Sequence, residues 1–204
     1  MISRSSPRHR CKEGTSMRKF LWLLLLIVPL YLSAACKSQP PEPKPEYRLT
    51  ATIKDIMDSM VDPSADILWE SVATIVSAKG TEERAPKTDD DWTNVRRRAI
   101  TLIEATNLLQ MPGRKVAKPG EKSENPQIEL EPQEIERILN ADRAAWTKLA
   151  LALHDAAAEA LKAIDAKNTQ GLLDSGEKID TACENCHLKY WYPNQQADAQ
   201  KKPS

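Results

Sequence analysis

Cys183-Glu184-Asn185-Cys186-His187 is the stretch that decides how the rest of the chain is read. The spacing C-x-x-C-H is that of covalent haem attachment. Two thiols add across the vinyl groups of the porphyrin, and the histidine brings an imidazole nitrogen to the iron from one face. On a helix, Cys183 and Cys186 share a face and His187 lies one turn beyond Cys183. One turn then holds the macrocycle and ligates its metal. Two other chemistries use cysteines at this spacing. A redox dithiol sits near a strand–helix junction. A zinc site needs a fourth ligand besides Cys183, Cys186 and His187, whereas the other histidines are His9 and His154 and no second C-x-x-C exists. A disulfide between cysteines so close on a helix is strained.

Upstream of the motif, apolar residues recur at helical spacing in four runs. The run that ends in the motif starts near Thr169 and passes through Leu172, Leu173, Ile179 and Ala182; Tyr190-Trp191-Tyr192-Pro193 closes it. The third run goes from Pro132 through Ile135, Leu139, Trp146, Leu153 and Ala160 to Ile164. Asp142 is the one polar residue on its stripe, and is expected at a solvated end because an unpaired buried carboxylate is costly. Residues 112–132 hold four prolines and two glycines, a loop longer than helices usually need. The second run has Thr88 as its cap, Asp89, Asp90 and Asp91 against the positive end of the dipole, and Trp92, Val95, Ala99, Leu102 and Leu109 as its buried stripe.

The first run is expected to start near Tyr47, with Leu49, Ile53, Ile56, Met57 and Met60 on one face. Asp62-Pro63 should break and restart it. Ile67, Leu68, Val72, Ile75 and Val76 then carry the stripe to a stop at Lys79-Gly80, with a loop over 80–88. No strand signal is read anywhere. The fold class is all-α, an antiparallel four-helix bundle with a flat cofactor between helices, held by the last of them.

The N-terminal part has another purpose. Met17-Arg18-Lys19 is basic, Phe20 to Leu32 is an almost unbroken apolar run, and Ser33-Ala34-Ala35 precedes Cys36. That is the order of a secretory signal, and the run is short for a membrane span of about 20 residues. Leu32-Ser33-Ala34-Ala35-Cys36 also fits a lipoprotein box, with Ser33 where Leu is usual, so Cys36 is expected to be lipidated and to tether the domain. Met17 makes a better start than Met1. Residues 1–35 therefore read as extension and signal, 36–46 as anchor and proline-rich tether, 47–193 as the helical domain and 194–204 as a disordered tail. The chain is formally neutral, but residues 1–35 hold most of its basic excess, and the remainder carries about five net negative charges. That argues against nucleic acid as a partner.

A C-x-x-C-H motif at the end of a fourth helix resembles the class II c-type cytochromes, the cytochrome c prime family. The resemblance spans roughly residues 47–192, rests on Cys183, Cys186, His187 and the helix order, and extends to Tyr47-Arg48 at the start. It implies one covalent haem c, an exported location, electron transfer or the binding of small gases such as nitric oxide, and dimers through the first two helices. In the family the residue facing the iron's far side comes from the first helix. Met57, or alternatively Met60, takes that place here: as a ligand it makes the haem six-coordinate and electron-transferring, while as packing it leaves iron five-coordinate. The resemblance also sets Arg48 against a haem propionate. Arg97 and Lys189 are further basic candidates, although Arg96-Arg97-Arg98 reads equally as a solvated helix face. Tyr190 and Trp191 are expected to wall the crevice. His154, beside Asp155, is a lesser ligand candidate, and Met111 lies in a loop.

The functional expectation is one-electron transfer with redox partner proteins, periplasmic and membrane-tethered. A gas-binding haem protein is the alternative, and a zinc or thiol-redox module the second. No acid–base pair or nucleophile constellation suggests an enzyme.

Overall fold

The computed structural model describes residues 47–195. The signal-like run, Cys36, the proline-rich tether and the tail from residue 196 onward lie outside them. Thr52 begins the first helix, α1 (Ile53–Ile56). Its Oγ1 accepts from the Asp55 N–H at 3.1 Å, while an Asp55 carboxylate oxygen accepts from the Thr52 N–H at 3.0 Å. This reciprocal cap is encoded in Thr52-x-x-Asp55. It corrects the expected start near Tyr47: residues 47–50 are non-helical and exposed, Leu49 and Arg48 among them.

Met57–Val61 then continue as a turn of π-helix, followed by α2 (Asp62–Ser71). The break expected at Asp62-Pro63 is a change of pitch, since the backbone stays right-handed helical at Met57, Val61 and Asp62. Proline lacks an N–H, and its ring crowds the carbonyl four residues back, here that of Ser59. The wider turn, in which the Asp62 N–H donates to the Met57 carbonyl, accommodates it.

The helix does not run on to Lys79. Ala73–Ser77 (β1) and Gly80–Arg84 (β2) form an antiparallel hairpin, pairing Ala73 with Arg84 and Ser77 with Gly80. Thr74, Ile75 and Val76 are consecutive β-branched residues, stiff at χ1 and suited to a pleated strand. The spacing of Val72, Ile75 and Val76 fits a helix as well, so periodicity misassigned them. Gly80, at φ 123°, adopts a backbone that L side chains rarely take.

Helix α3 (Asp89–Leu109) starts on the expected Thr88 cap. The third run is divided: α4 (Pro132–Ala141) ends at Asp142, whose dihedrals, φ −139° and ψ 72°, leave the helix. Its carboxylate accepts from the Ala145 N–H at 3.0 Å and caps α5 (Arg143–Asp165). Asp142 is solvent-exposed as expected, but it sits at an internal break. Helix α6 (Thr169–Tyr190) is capped by Asn168 and runs unbroken through the C-x-x-C-H motif.

Packing runs from α2 to α3, from α3 to α5, from α5 to α6 and from α6 back to α2. Between α2 and α6 the approach is close. Trp69 Nε1 donates to the Gly176 carbonyl at 3.1 Å, and a Cβ at Gly176 would lie 3.2 Å from the indole. Trp146 and Tyr190 are among the largest fully buried side chains of the core. No helix among the described residues is long and apolar enough to cross a membrane.

The loop between α3 and α4 is built into the fold. Lys115 and Val116 carbonyls accept from the Ile53 and Lys54 N–H groups at 2.8 and 2.9 Å, satisfying orphan donors of α1. Arg114, 7% exposed, donates to the carbonyls of Leu108 at 2.8 Å and Ala51 at 2.5 Å. A charged side chain thereby pins the loop to both flanking segments.

Candidate functional site

The last turns of α6 carry Ala182, Cys183, Cys186, His187 and Tyr190 on one stripe. Cys183, Cys186 and His187 are half-buried and both thiols are free. Burial pushes each thiol up to about 12; nearby Asp62 and Asp180 add to this for Cys183, and Cys183 itself for Cys186. Burial also lowers the basicity of the His187 imidazole, opposed by Asp62, Glu184 and Glu129. The ring is bracketed by aromatics, with Trp191 at 5.8 Å and Tyr192 at 5.9 Å between centroids. Tyr192 is held by its hydroxyl donating to Glu184 at 2.8 Å, and Trp191 by its carbonyl accepting from the Leu130 N–H at 2.7 Å.

Two cavities meet at this stripe. The smaller, about 20 Å³, is apolar: Leu109, Trp146, Leu149 and Leu153 face Cys183 and Cys186. The larger, about 190 Å³, is mixed, with Lys54, Lys122, Glu124, Glu129 and Leu130 on its wall. Met57, Asp62 and His187 line both. The long loop thus closes one side of the site.

Of the methionines expected near the iron, Met57 is on both cavity walls, whereas Met60 packs partly buried against the core and lines neither. Tyr190 is fully buried, edge-on to Trp146 at 5.1 Å; its hydroxyl has no partner among the described residues, and burial raises its pKa to about 12. Trp191 lines the larger cavity. Arg48 and Arg97 are exposed and line neither. Lys189 turns to Asp142 at 3.7 Å, and His154 sits 3.4 Å from Asp155, away from both cavities. Sequence reasoning missed Asp62, read there only as part of the Asp62-Pro63 break, and the loop residues on the larger cavity. Asp62 is five residues from Met57 and joins it through the π turn, which helical spacing in the sequence does not register.

Two thiols and an imidazole on one face, against an aliphatic and indole wall, are the donor set and lining that a thioether-bound porphyrin requires. Neither cavity alone reaches the roughly 300 Å³ of a ligand site. Met57, Asp62 and His187 line both spaces, which a flat macrocycle would have to occupy together. The residues fit the group.

No family model matches the chain, and no curated protein matches it. Among solved structures, the nitric oxide complex of a leucine-to-alanine mutant of cytochrome c prime from Alcaligenes xylosoxidans is similar at 14% identity and a TM-score of 0.38. The match covers 72% of this chain and 98% of that one. A likeness this shallow carries no assignment.

Proposed function

We propose that the chain is a monohaem class II c-type cytochrome: an antiparallel four-helix bundle with haem c joined to Cys183 and Cys186 and ligated by His187. The observation that supports this best is the sharing of two cavity walls by His187 and Met57, with both thiols on one of them. When bound, haem supplies a one-electron iron couple. The chain's residues do the rest. Cys183 and Cys186 would hold the macrocycle, and the His187 nitrogen and the Met57 sulfur would be the groups offered to its iron. Leu109, Trp146, Leu149 and Leu153 keep water off the macrocycle. The role is one-electron transfer outside the cytoplasm with redox partner proteins. The domain is tethered to a membrane through a lipid on Cys36 and has no catalytic activity of its own.

The thiol-redox alternative is disfavoured by burial, because a thiol pushed up to about 12 is a poor nucleophile at neutral pH. The zinc alternative lacks donors: among the described residues no three His, Cys, Asp or Glu side chains converge as metal ligands.

The test is a haem stain on a denaturing gel, then ferric and reduced spectra of protein matured with a haem-attachment system. Covalent haem with sharp low-spin bands, and a ferric sulfur-to-iron band lost in Met57→Ala, is the expected result. Protein that stays free of haem under those conditions refutes the reading. A second reading is a five-coordinate haem that binds nitric oxide or another small gas. The larger cavity beside Met57 and His187 favours it, since a small ligand has room there. High-spin ferric bands that shift with nitric oxide would select it.

A further inference from the structure

We infer that the open edge of β1 is a self-association surface: two copies of this chain join their hairpins across a two-fold axis into one four-stranded antiparallel sheet. The inference is independent of the haem reading. Its surface also differs from the helix-to-helix contact that the family resemblance implies.

The hairpin is incomplete as a sheet. It has two strands, and every residue from Thr74 to Ser77 and from Gly80 to Arg84 is exposed. A two-stranded sheet is marginal in water by itself and gains from further strands. Its two edges are not equivalent. β2 carries Glu82, Glu83 and Arg84, charges of the kind that block pairing between edges. β1 reads Ala73-Thr74-Ile75-Val76-Ser77, with no charge, no proline and no glycine. Val76, 78% exposed, is the most exposed large hydrophobic side chain among the described residues, and Ile75 beside it is 38% exposed.

The register fixes which backbone groups are free. Ser77 and Gly80 bracket a two-residue turn, so they exchange hydrogen bonds, and by alternation Ile75 does so with Glu82 and Ala73 with Arg84. The N–H and C=O groups of Thr74 and Val76 therefore point outward. A two-fold axis through Ile75 pairs Thr74 with the partner's Val76, and Val76 with the partner's Thr74, each pair exchanging both of its hydrogen bonds. Ile75 then faces the partner's Ile75 in the closer, non-hydrogen-bonded position, and Ala73 faces the partner's Ser77. All five residues of β1 are paired in this way. The strand is uncharged and β-branched at its centre, and so complements itself. The same operation on β2, centred on Glu82 or on Glu83, sets like charges face to face.

The test is sedimentation velocity of the full chain in a mild detergent across a dilution series, a readout of mass that does not require haem. The expected result is a reversible monomer–dimer equilibrium, since an interface between two short strands is small. Val76→Pro removes an outward N–H and no bond of the hairpin, at a place where edge strands tolerate proline. It should weaken the dimer about tenfold or more, because the two-fold axis repeats the loss. Glu83→Pro makes the equivalent change on the β2 edge and should leave the dimer as it is. Ile75→Lys faces Glu82 within its own hairpin, a favourable cross-strand pair, but opposes two like charges across the axis. It should dissociate the dimer and regain part of it at high salt. Ile75→Cys, oxidised with diamide, should link two copies through that residue, read by mass spectrometry as the cross-linked peptide. A chain that stays monomeric at every concentration overturns the inference. So does a dimer that survives both Val76→Pro and Ile75→Lys, because it is held by another surface. Equal loss in Val76→Pro and Glu83→Pro also overturns it, since the dimer then depends on an intact hairpin and not on the β1 edge.

Discussion

The two walls of the cleft are made in different ways. The His187 wall is one regular helix, α6, from its Asn168 cap to Tyr190, and its reactive residues lie within five consecutive positions. The facing wall is assembled from α1, a π turn, the first turn of α2 and a distant loop whose carbonyls cap α1. Attachment chemistry tolerates no freedom among its three donors, and a continuous helix fixes them relative to one another. On the proposed haem reading the facing wall would have to admit a large flat group, and it is irregular at that place. π turns inside helices are frequent at functional sites.

The sharpest way to break this comparison is at the regular wall. Cys183→Ser/Cys186→Ser should abolish haem retention on a denaturing gel while the helical circular dichroism of the protein persists. If the double variant still carries haem through denaturation, attachment does not depend on α6. The next largest effect is expected where the helices meet. Trp146 is 1% exposed, donates its indole N–H to the Leu109 carbonyl at 2.9 Å, packs on Tyr190 and lines the apolar cavity. Trp146→Ala removes a large buried ring and its hydrogen bond, and should cost about 3–5 kcal/mol in urea unfolding. A loss under about 1 kcal/mol would mean that the cavity collapses freely and that Trp146 does not join α3, α5 and α6.

The same division governs what the sequence makes legible. The caps Thr88 and Asn168 act over three residues, and the first was read directly from the sequence. The motif is equally local, as is the long amphipathic stripe of α3. What escaped is whatever depends on partners far along the chain or on competition between two local patterns. Val72 to Val76 satisfy helical spacing and strand propensity together, and the hairpin takes them because Gly80 closes a two-residue turn. Asp142 lies on a continuous apolar stripe, yet its carboxylate caps a new helix, a choice that periodicity does not register. The loop over 112–132 read only as longer than helices usually need. Its function as a cap for α1 rests on backbone carbonyls at Lys115 and Val116, which have no sequence signature. Arg48 was placed by resemblance alone, and the residue is exposed and outside both cavities.

A smaller effect sharpens the account of the irregular wall. Thr52→Ala removes half of the reciprocal cap and leaves the Asp55 N–H without its acceptor. The expected cost is about 1 kcal/mol in urea unfolding. The accompanying signature is faster amide exchange over α1 and the π turn than over α6. Equal acceleration on both walls would show that they open as one unit, contrary to the separation drawn here.

The smallest effect bears on the regular wall, at Tyr190→Phe. A buried hydroxyl without a partner is a liability of about 1–3 kcal/mol relative to one that is hydrogen-bonded, and the Tyr190 hydroxyl has no partner among the described residues. Removing it keeps the ring against Trp146 and deletes only the unpaired group. Haem-free protein should therefore be unchanged or more stable by up to about 1 kcal/mol. The same substitution in haem-loaded protein asks a separate question. If the hydroxyl gains a partner when the macrocycle enters, Phe should weaken the loaded protein relative to the free one, and Tyr190 belongs to the crevice. If the two respond alike, Tyr190 is packing for Trp146, and the regular wall meets the cofactor through Cys183, Cys186 and His187 without it.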